Sequence, residues 1–298
     1  MDKRYQAKFN QVIDLHCHIQ DPRDLSAWRD YFSQLPADYA YQTVVVASHY
    51  DQAAWLFPAI LEDPILNSRL IPMAGLHPWQ AGLGRAGVDR LRPYLAQSPF
   101  VGEIGLDKIW CDVPLDQQVD VLLYQLEIAQ ALAKPILLHS KGYEAELLDL
   151  VHDYLYPIIV HWYSCEDPDL LQAYIDRGCH FTLASDQGRD PGTRLLWQLA
   201  PADRIHLETD GYEALIWAQE EFGPGDSLLG CTESTPDRSI PAQPIPVGSI
   251  PAISIPAQLL QSLENSVETY ANLHGLKAQQ AAELFYHNSQ DLLAFTRE

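Results

Sequence analysis

The run DLHCHI, residues 14–19, sets two histidines one position apart inside a short apolar segment. Alternate side chains of a strand share a face, so His16 and His18 can give one metal ion two imidazole nitrogens while Cys17 faces away. An isolated H-x-H is short enough to arise by chance. The rest of the chain decides its meaning, because further ligand-competent residues stand at the ends of later apolar runs. They are Glu103 in VGEIGLD, His139 in PILLHS, His161 in IIVHW and Asp210 in HLETD.

The elements that must position these residues read as strands and helices in alternation. Short apolar, β-branched runs at 12–15, 43–47, 71–75, 100–104, 135–138, 158–160, 180–183 and 204–207 are the candidate strands. The clearest helix spans 116–133, where Val119, Leu122, Leu123, Leu126, Ala129 and Leu132 recur at three- and four-residue spacing. Further helices are expected at 53–61, 88–95, 144–155, 168–177, 193–199, 259–273 and 278–295. About eight strands with crossover helices predict a single TIM-like (β/α)8 barrel over residues 1–298. The C-terminal ends of parallel strands converge on one mouth there, which brings His16, His18, Glu103, His139, His161 and Asp210 together. Six nitrogen and oxygen donors suit two divalent ions, either Mg, Mn or Zn. Glu103 is the natural bridge, with His16, His18 and Asp210 on one ion and His139 and His161 on the other.

One segment breaks the rhythm. Residues 222–256 hold FGPG and three copies of Ser-Ile-Pro, which exclude a regular helix and predict an extended loop after the eighth strand. A lid over the mouth, a docking site for a protein partner and a plain surface insertion are the readings open to it.

Composition limits the partners. A chain of 298 residues with 19 basic against 40 acidic side chains carries a net charge of −21, which repels a long polyanion over most of the surface. Bound cations reverse the potential only locally, so a metal-centred phosphodiesterase survives this test and a tracking groove does not. No run reaches the roughly 18 apolar residues of a membrane span, and the start lacks the apolar core of a secretion signal. Five cysteines without C-x-x-C spacing argue for reduced thiols, and the expected compartment is the cytoplasm.

Taken together, the blocks resemble the TatD-like metal-dependent deoxyribonucleases of the amidohydrolase superfamily. DLHCH matches the family's D-x-H-x-H, GLHP its G-x-H-P and residues 102–107 its G-E-I-G-L-D. PILLHS, HWYSC and ETDGY then stand where the family has a proline, apolar run and histidine, H-C-F-S-G and E-T-D-A-P. The resemblance implies that His16, His18, Glu103, His139, His161 and Asp210 are the metal ligands, the set that the barrel argument also reaches.

Two departures bear on substrate. Lys141 stands where the family usually has an arginine, keeping the charge but not the bidentate fork, and the long insertion replaces a short basic segment. His77 and Ser164 are further candidate substrate contacts, with Tyr163 beside them. Glu208 and His206 share Asp210's parity and so can orient ligands, with a satisfied barrel-core polar group the reading favoured for each. The expected activity is hydrolysis of a phosphodiester at DNA 3′ ends or in short single strands, with water activated by two ions. Asp210 is then the general base, and the bridging Glu103 is counted with it in the catalytic machinery. The competing readings are a small-molecule amidohydrolase or lactonase on the same barrel, a phosphatase that also opens with H-x-H, and a non-catalytic subunit that docks a partner through the 222–256 loop.

Overall fold

The computed structural model describes residues 7–36, 38–223 and 254–295. Eight parallel strands close into a barrel in sequential order. They are β1 (Gln11–His18), β2 (Ala40–Ala47), β3 (Leu70–Ala74), β4 (Val101–Asp107), β5 (Ile136–Lys141), β6 (Ile158–Val160), β7 (His180–Leu183) and β8 (Ile205–Leu207). Around them run α1 (Asp24–Phe32), α2 (Tyr50–Leu61), α3 (Pro64–Asn67), α4 (Gly84–Gln97), α5 (Leu115–Ala131) and α6 (Glu144–Leu150). The series continues with α7 (Pro168–Asp176), α8 (Pro191–Leu199), α9 (Tyr212–Phe222), α10 (Ile255–His274) and α11 (Ala278–Ala294). The TIM-like barrel expected from the sequence is therefore the fold.

Local chemistry sets several helix starts. Asp63, Asp167 and Asp190 each precede a proline, and each carboxylate accepts hydrogen bonds from two backbone N–H groups of the turn that follows. Proline costs nothing at that position because its missing N–H would have had no helical partner. At the far end of α10, Gly275 adopts φ 64° and closes the helix in the left-handed conformation that favours glycine.

The barrel has two apolar layers. On β2, Val44 and Val46 join an inner cluster with Ile13, Leu15, Met73, Phe100, Leu137 and Ile159, while Val45 and Ala47 join the outer layer under the helices. Leu292 and Leu293 of α11 enter the inner cluster, so the last helix closes the N-terminal end of the barrel. Space at the opposite, C-terminal end is left for polar groups.

Several expected boundaries move. β4 and β5 run on to Asp107 and Lys141, because neighbouring strands continue the hydrogen-bond ladder past the apolar run. The helix expected at 144–155 ends at Leu150, and α1 and α9 appear where no helix was expected. Of the 222–256 insertion, Phe222 ends α9 while Ile255 and Pro256 open α10. Residues 224–253 lie outside the described residues.

Candidate metal centre and active site

A register shift between Asp14 and Cys17 shapes the first strand. Below it Ile13 and Leu15 face the barrel interior, and above it His16 and His18 do, with ring centroids 4.8 Å apart, while Cys17 packs outward. A bulge of this kind changes which parity faces inward. Asp14 then ties β1 to the segment after β8. Its carboxylate accepts from the Thr209 amide at 3.0 Å and from the Thr209 hydroxyl at 2.6 Å, and burial pushes its pKa up to about 8. The next residue, Asp210, sits at φ 59° with its amide donating to His16 O at 2.9 Å. That left-handed backbone aims a carboxylate at the mouth.

Glu103 occupies the centre. Its Oε2 lies 3.1 Å from His18 Nε2 and 3.4 Å from His16 Nε2, and its Oε1 lies 2.6 Å from His139 Nδ1 and 3.2 Å from His161 Nε2. Asp210 Oδ1 joins the first side, 3.1 Å from His16 Nε2 and 3.5 Å from His18 Nε2. All six sequence-predicted ligands are thus brought together, with the two oxygens of one carboxylate facing two nitrogen sets. Three groups have ligand atoms close enough for a shared ion: His16, His18 and Asp210; His16, Glu103 and His161; and His77, Glu103 and His139. The close approach of β4 to β5 needs Gly105, since a Cβ there would lie 1.9 Å from His139 O.

Two carboxylates hold the rings: Asp107, to which the sequence assigned no part, and Glu208, for which an orienting part was the second reading. Asp107 Oδ2 accepts from His139 Nε2 at 3.0 Å, and Glu208 accepts from His161 Nδ1 at 3.2 Å. Each fixes the proton on the outer nitrogen and turns the other nitrogen inward, the arrangement that ligating histidines require. Asp107 shares the strand face of Glu103, so its parity was the available signal. For Glu208 the hydrogen bond to His161 fits the orienting alternative rather than the barrel-core polar group favoured from sequence.

The electrostatics fit a cation. Burial pushes the Glu103 carboxyl up, yet the charges of His77, His161, His16 and His139 overcome this and hold it well below the usual range. Burial likewise opposes ionisation of Asp210, but the His16 hydrogen bond and the nearby imidazoles bring its pKa to about 2. On His161, burial is outweighed by Glu208 and Glu103, and the pKa rises to about 9. Imidazoles this close to carboxylates need positive charge between them, from protons or from divalent ions, and both donor types suit divalent ions.

The candidate substrate residues divide. His77 is buried inside the ligand cluster, with Nε2 3.3 Å from His139 Nδ1, and its Nδ1 accepts from the Trp79 amide. Lys141 is buried too; its Nζ donates to Trp162 O at 2.6 Å and to Ser164 Oγ at 3.0 Å. Burial lowers its pKa, against the raising effect of Asp190, Glu144, Asp210 and Glu208. Tyr163 faces the other way and packs on Tyr174 and Phe181 in the outer layer, so it is no substrate contact. A cavity of about 370 Å³ opens over the cluster, lined by His18, His77, Lys141, Ser164, Asp210 and the rings of Trp79, Trp110, Trp162 and Trp217.

Comparison with known proteins agrees with this construction. The family model for the TatD related DNase matches residues 13–294. An uncharacterized metal-dependent hydrolase TatD of Mycobacterium tuberculosis is 24% identical over 67% of this chain and 79% of its own length. A 3′-5′ ssDNA/RNA exonuclease TatD of a Rahnella species is 32% identical over 46% of this chain, a match spanning only 55% of that relative. Among solved structures, the TatD homologue YJJV of Escherichia coli superposes with a TM-score of 0.66 at 20% identity, covering 95% of this chain and 98% of that one. A TatD-family hydrolase of Entamoeba histolytica gives 0.70 at 13% identity, with coverage of 95% and 98%. No helix among the described residues is long and apolar enough to cross a membrane.

Proposed function

The chain belongs to the TatD related DNase family, and from that premise we propose that it is a divalent-metal-dependent phosphodiesterase acting at the 3′ ends of DNA or on short single strands. The observation that carries this reading is the division of Glu103, whose Oε2 faces His16 and His18 while its Oε1 faces His139 and His161. His16, His18, Asp210 and Glu103 would hold one ion, and His139, His161 and Glu103 a second, of Mg, Mn or Zn. Such ions lower the pKa of water toward neutrality and draw charge from the phosphoryl oxygens. The catalytic unit is taken to be one barrel domain over 1–298, with 222–256 as an insertion.

The side chains supply the rest. Asp210 is ionised at neutral pH and is the general base, positioned at the mouth by its left-handed backbone and by His16. Among its neighbours it is the more open group, with 19% of its side chain exposed against 2% for Glu103, so it can meet a water that enters from the cavity. Lys141 and Ser164 are held together by their hydrogen bond and donate to a non-bridging phosphoryl oxygen, and His77, which lines the same cavity, is a further contact. Relatives named as 3′-5′ ssDNA/RNA exonucleases support the polarity of attack.

End-dependence has a charge basis. The described cavity residues include one lysine and no arginine, against Glu103, Asp190, Asp210, Glu213, Glu220 and Glu221. A row of phosphates cannot be neutralised there, whereas a single terminal phosphodiester can. The test compares end-labelled short oligonucleotides with a covalently closed single-stranded circle of equal length at low salt under each divalent ion. Asp210→Asn protein serves as the contamination control. Faster cleavage of the linear strand is expected. Equal rates would end the claim of end-dependence, and no cleavage of either would favour a small-molecule ester instead.

A further inference from the structure

Three tryptophans stand at one side of the cavity, and the metal chemistry uses none of them. Trp217 of α9 is their hub: its ring centroid lies 6.3 Å from that of Trp110 at an interplanar angle of 80°, and 5.7 Å from that of Trp162 at 64°. Phe222 closes the group, 5.8 Å from Trp217 and nearly perpendicular to it. Trp162 is buried, whereas Trp110 and Trp217 are only partly buried and border the cavity.

We infer that Trp110 and Trp217 form a stacking subsite for the terminal nucleobase and that this aromatic corner, rather than phosphate contacts, supplies most of the substrate affinity. The inference rests on the phosphodiesterase reading above and names what that site recognises. Two mutually perpendicular rings suit a flat heteroaromatic guest, which can lay its face on one and present an edge to the other. The corner is continuous with the catalytic groups. Trp162 directly follows His161 in the chain, its carbonyl accepts from Lys141 Nζ, and its ring meets that of Trp217.

Size and charge support one base rather than a track of them. A cavity of about 370 Å³ is at the small end of the roughly 300–1,000 Å³ typical of ligand pockets, room for about one nucleotide. Glu213, Glu220 and Glu221 line the same side, so further phosphates on that side are repelled while an uncharged base is not. Stacking is also tolerant of base identity, since every base has a π-face.

The experiment reads binding and turnover separately. Tryptophan fluorescence of the metal-loaded protein is titrated with a deoxynucleoside monophosphate and with deoxyribose phosphate lacking the base, using wild type, Trp217→Ala and Trp217→Phe. Affinity for the nucleotide is expected to fall roughly 10- to 100-fold in Trp217→Ala and to recover largely in Trp217→Phe, with the base-free ligand bound weakly by all three. In parallel, oligonucleotides with a normal or an abasic 3′-terminal nucleotide are cleaved. Trp217→Ala should raise KM for the normal end at little cost in kcat and leave the abasic end unchanged. Thermal melts establish that each variant is folded. Base-dependent binding that Trp217→Ala abolishes supports the subsite even if no strand is cut, in which case the phosphodiesterase reading alone fails. Equal binding of base-bearing and base-free ligands, or equal effects of Trp217→Ala on normal and abasic ends, would overturn the subsite.

Discussion

At the scale of single residues, the convergence of the six candidate ligands was legible because each stands at the end of an apolar run, and a closed barrel gives such positions one meeting point. The outer carboxylates were legible only as far as parity, which sets Asp107 and Glu208 on the faces of Glu103 and Asp210, because which imidazole nitrogen each holds is a matter of ring orientation that no spacing encodes. Asp210→Asn is expected to lower kcat by roughly 10²–10⁴-fold, far more than it weakens folding, with thermal melts taken beside the assay. Metal-loaded Asp210→Asn turning over at a near-normal rate would remove its role as base. Glu208→Gln weakens the grip on the His161 ring, so calorimetry should find divalent-ion affinity roughly 10- to 100-fold lower in that variant. An unchanged affinity would make Glu208 a packing residue.

At the scale of elements, alternation of short apolar runs with amphipathic stretches made the eight strands and most helices readable. Strand ends were less so, because Asp107, His139 and Lys141 belong to a ladder continued by the neighbouring strand rather than by their own hydrophobicity. A strict period of two would also have misjudged β1, where the shift between Asp14 and Cys17 lets Leu15 and His16 both face inward. The opposite end of the barrel yields a pH prediction. His180 Nδ1 and His206 Nε2 lie 3.0 Å apart, His206 Nδ1 lies 2.9 Å from Ser289 Oγ, and burial lowers both histidines, His180 to about 4. Folded pKa values below the unfolded 6.5 mean that the unfolded chain binds more protons between about pH 4 and 6.5. Stability from this pair is therefore full above that window and is lost as the pH falls through it. At pH 5 the loss from His180 should be on the order of 1–2 kcal/mol, after allowance for its partial exposure. Urea midpoints at pH 7 and pH 5 check it: replacing both histidines with asparagine should shrink the difference between the two midpoints, and an unaltered difference would refute the assignment.

At the scale of the whole molecule, the charge of −21 leaves recognition to a small mouth, and the closure of the barrel decides how that mouth is kept intact. β1 and β8 share a single register pair, Asp14 with Leu207, as β3 and β4 do with Ala74 and Val101, whereas β1 and β2 pair at both ends of β1 on either side of the shift. The seam is reinforced by side chains, through Asp14 to Thr209 and His16 to Asp210, whose partners lie 195 and 194 positions apart in the chain. An ion held by His16, His18 and Asp210 would span the same seam, and an ion that binds only the closed form adds roughly 2.7 kcal/mol at a hundred times its Kd. Chelation should accordingly lower the melting temperature and speed amide exchange in β8 and β1 before the other strands. Exchange that quickens evenly around the barrel would argue against a weak seam. In a cell, degradation follows the fraction of molecules that are open. The lifetime of this protein would then track the free concentration of its own ion, so that starvation for the metal removes the enzyme as well as its activity.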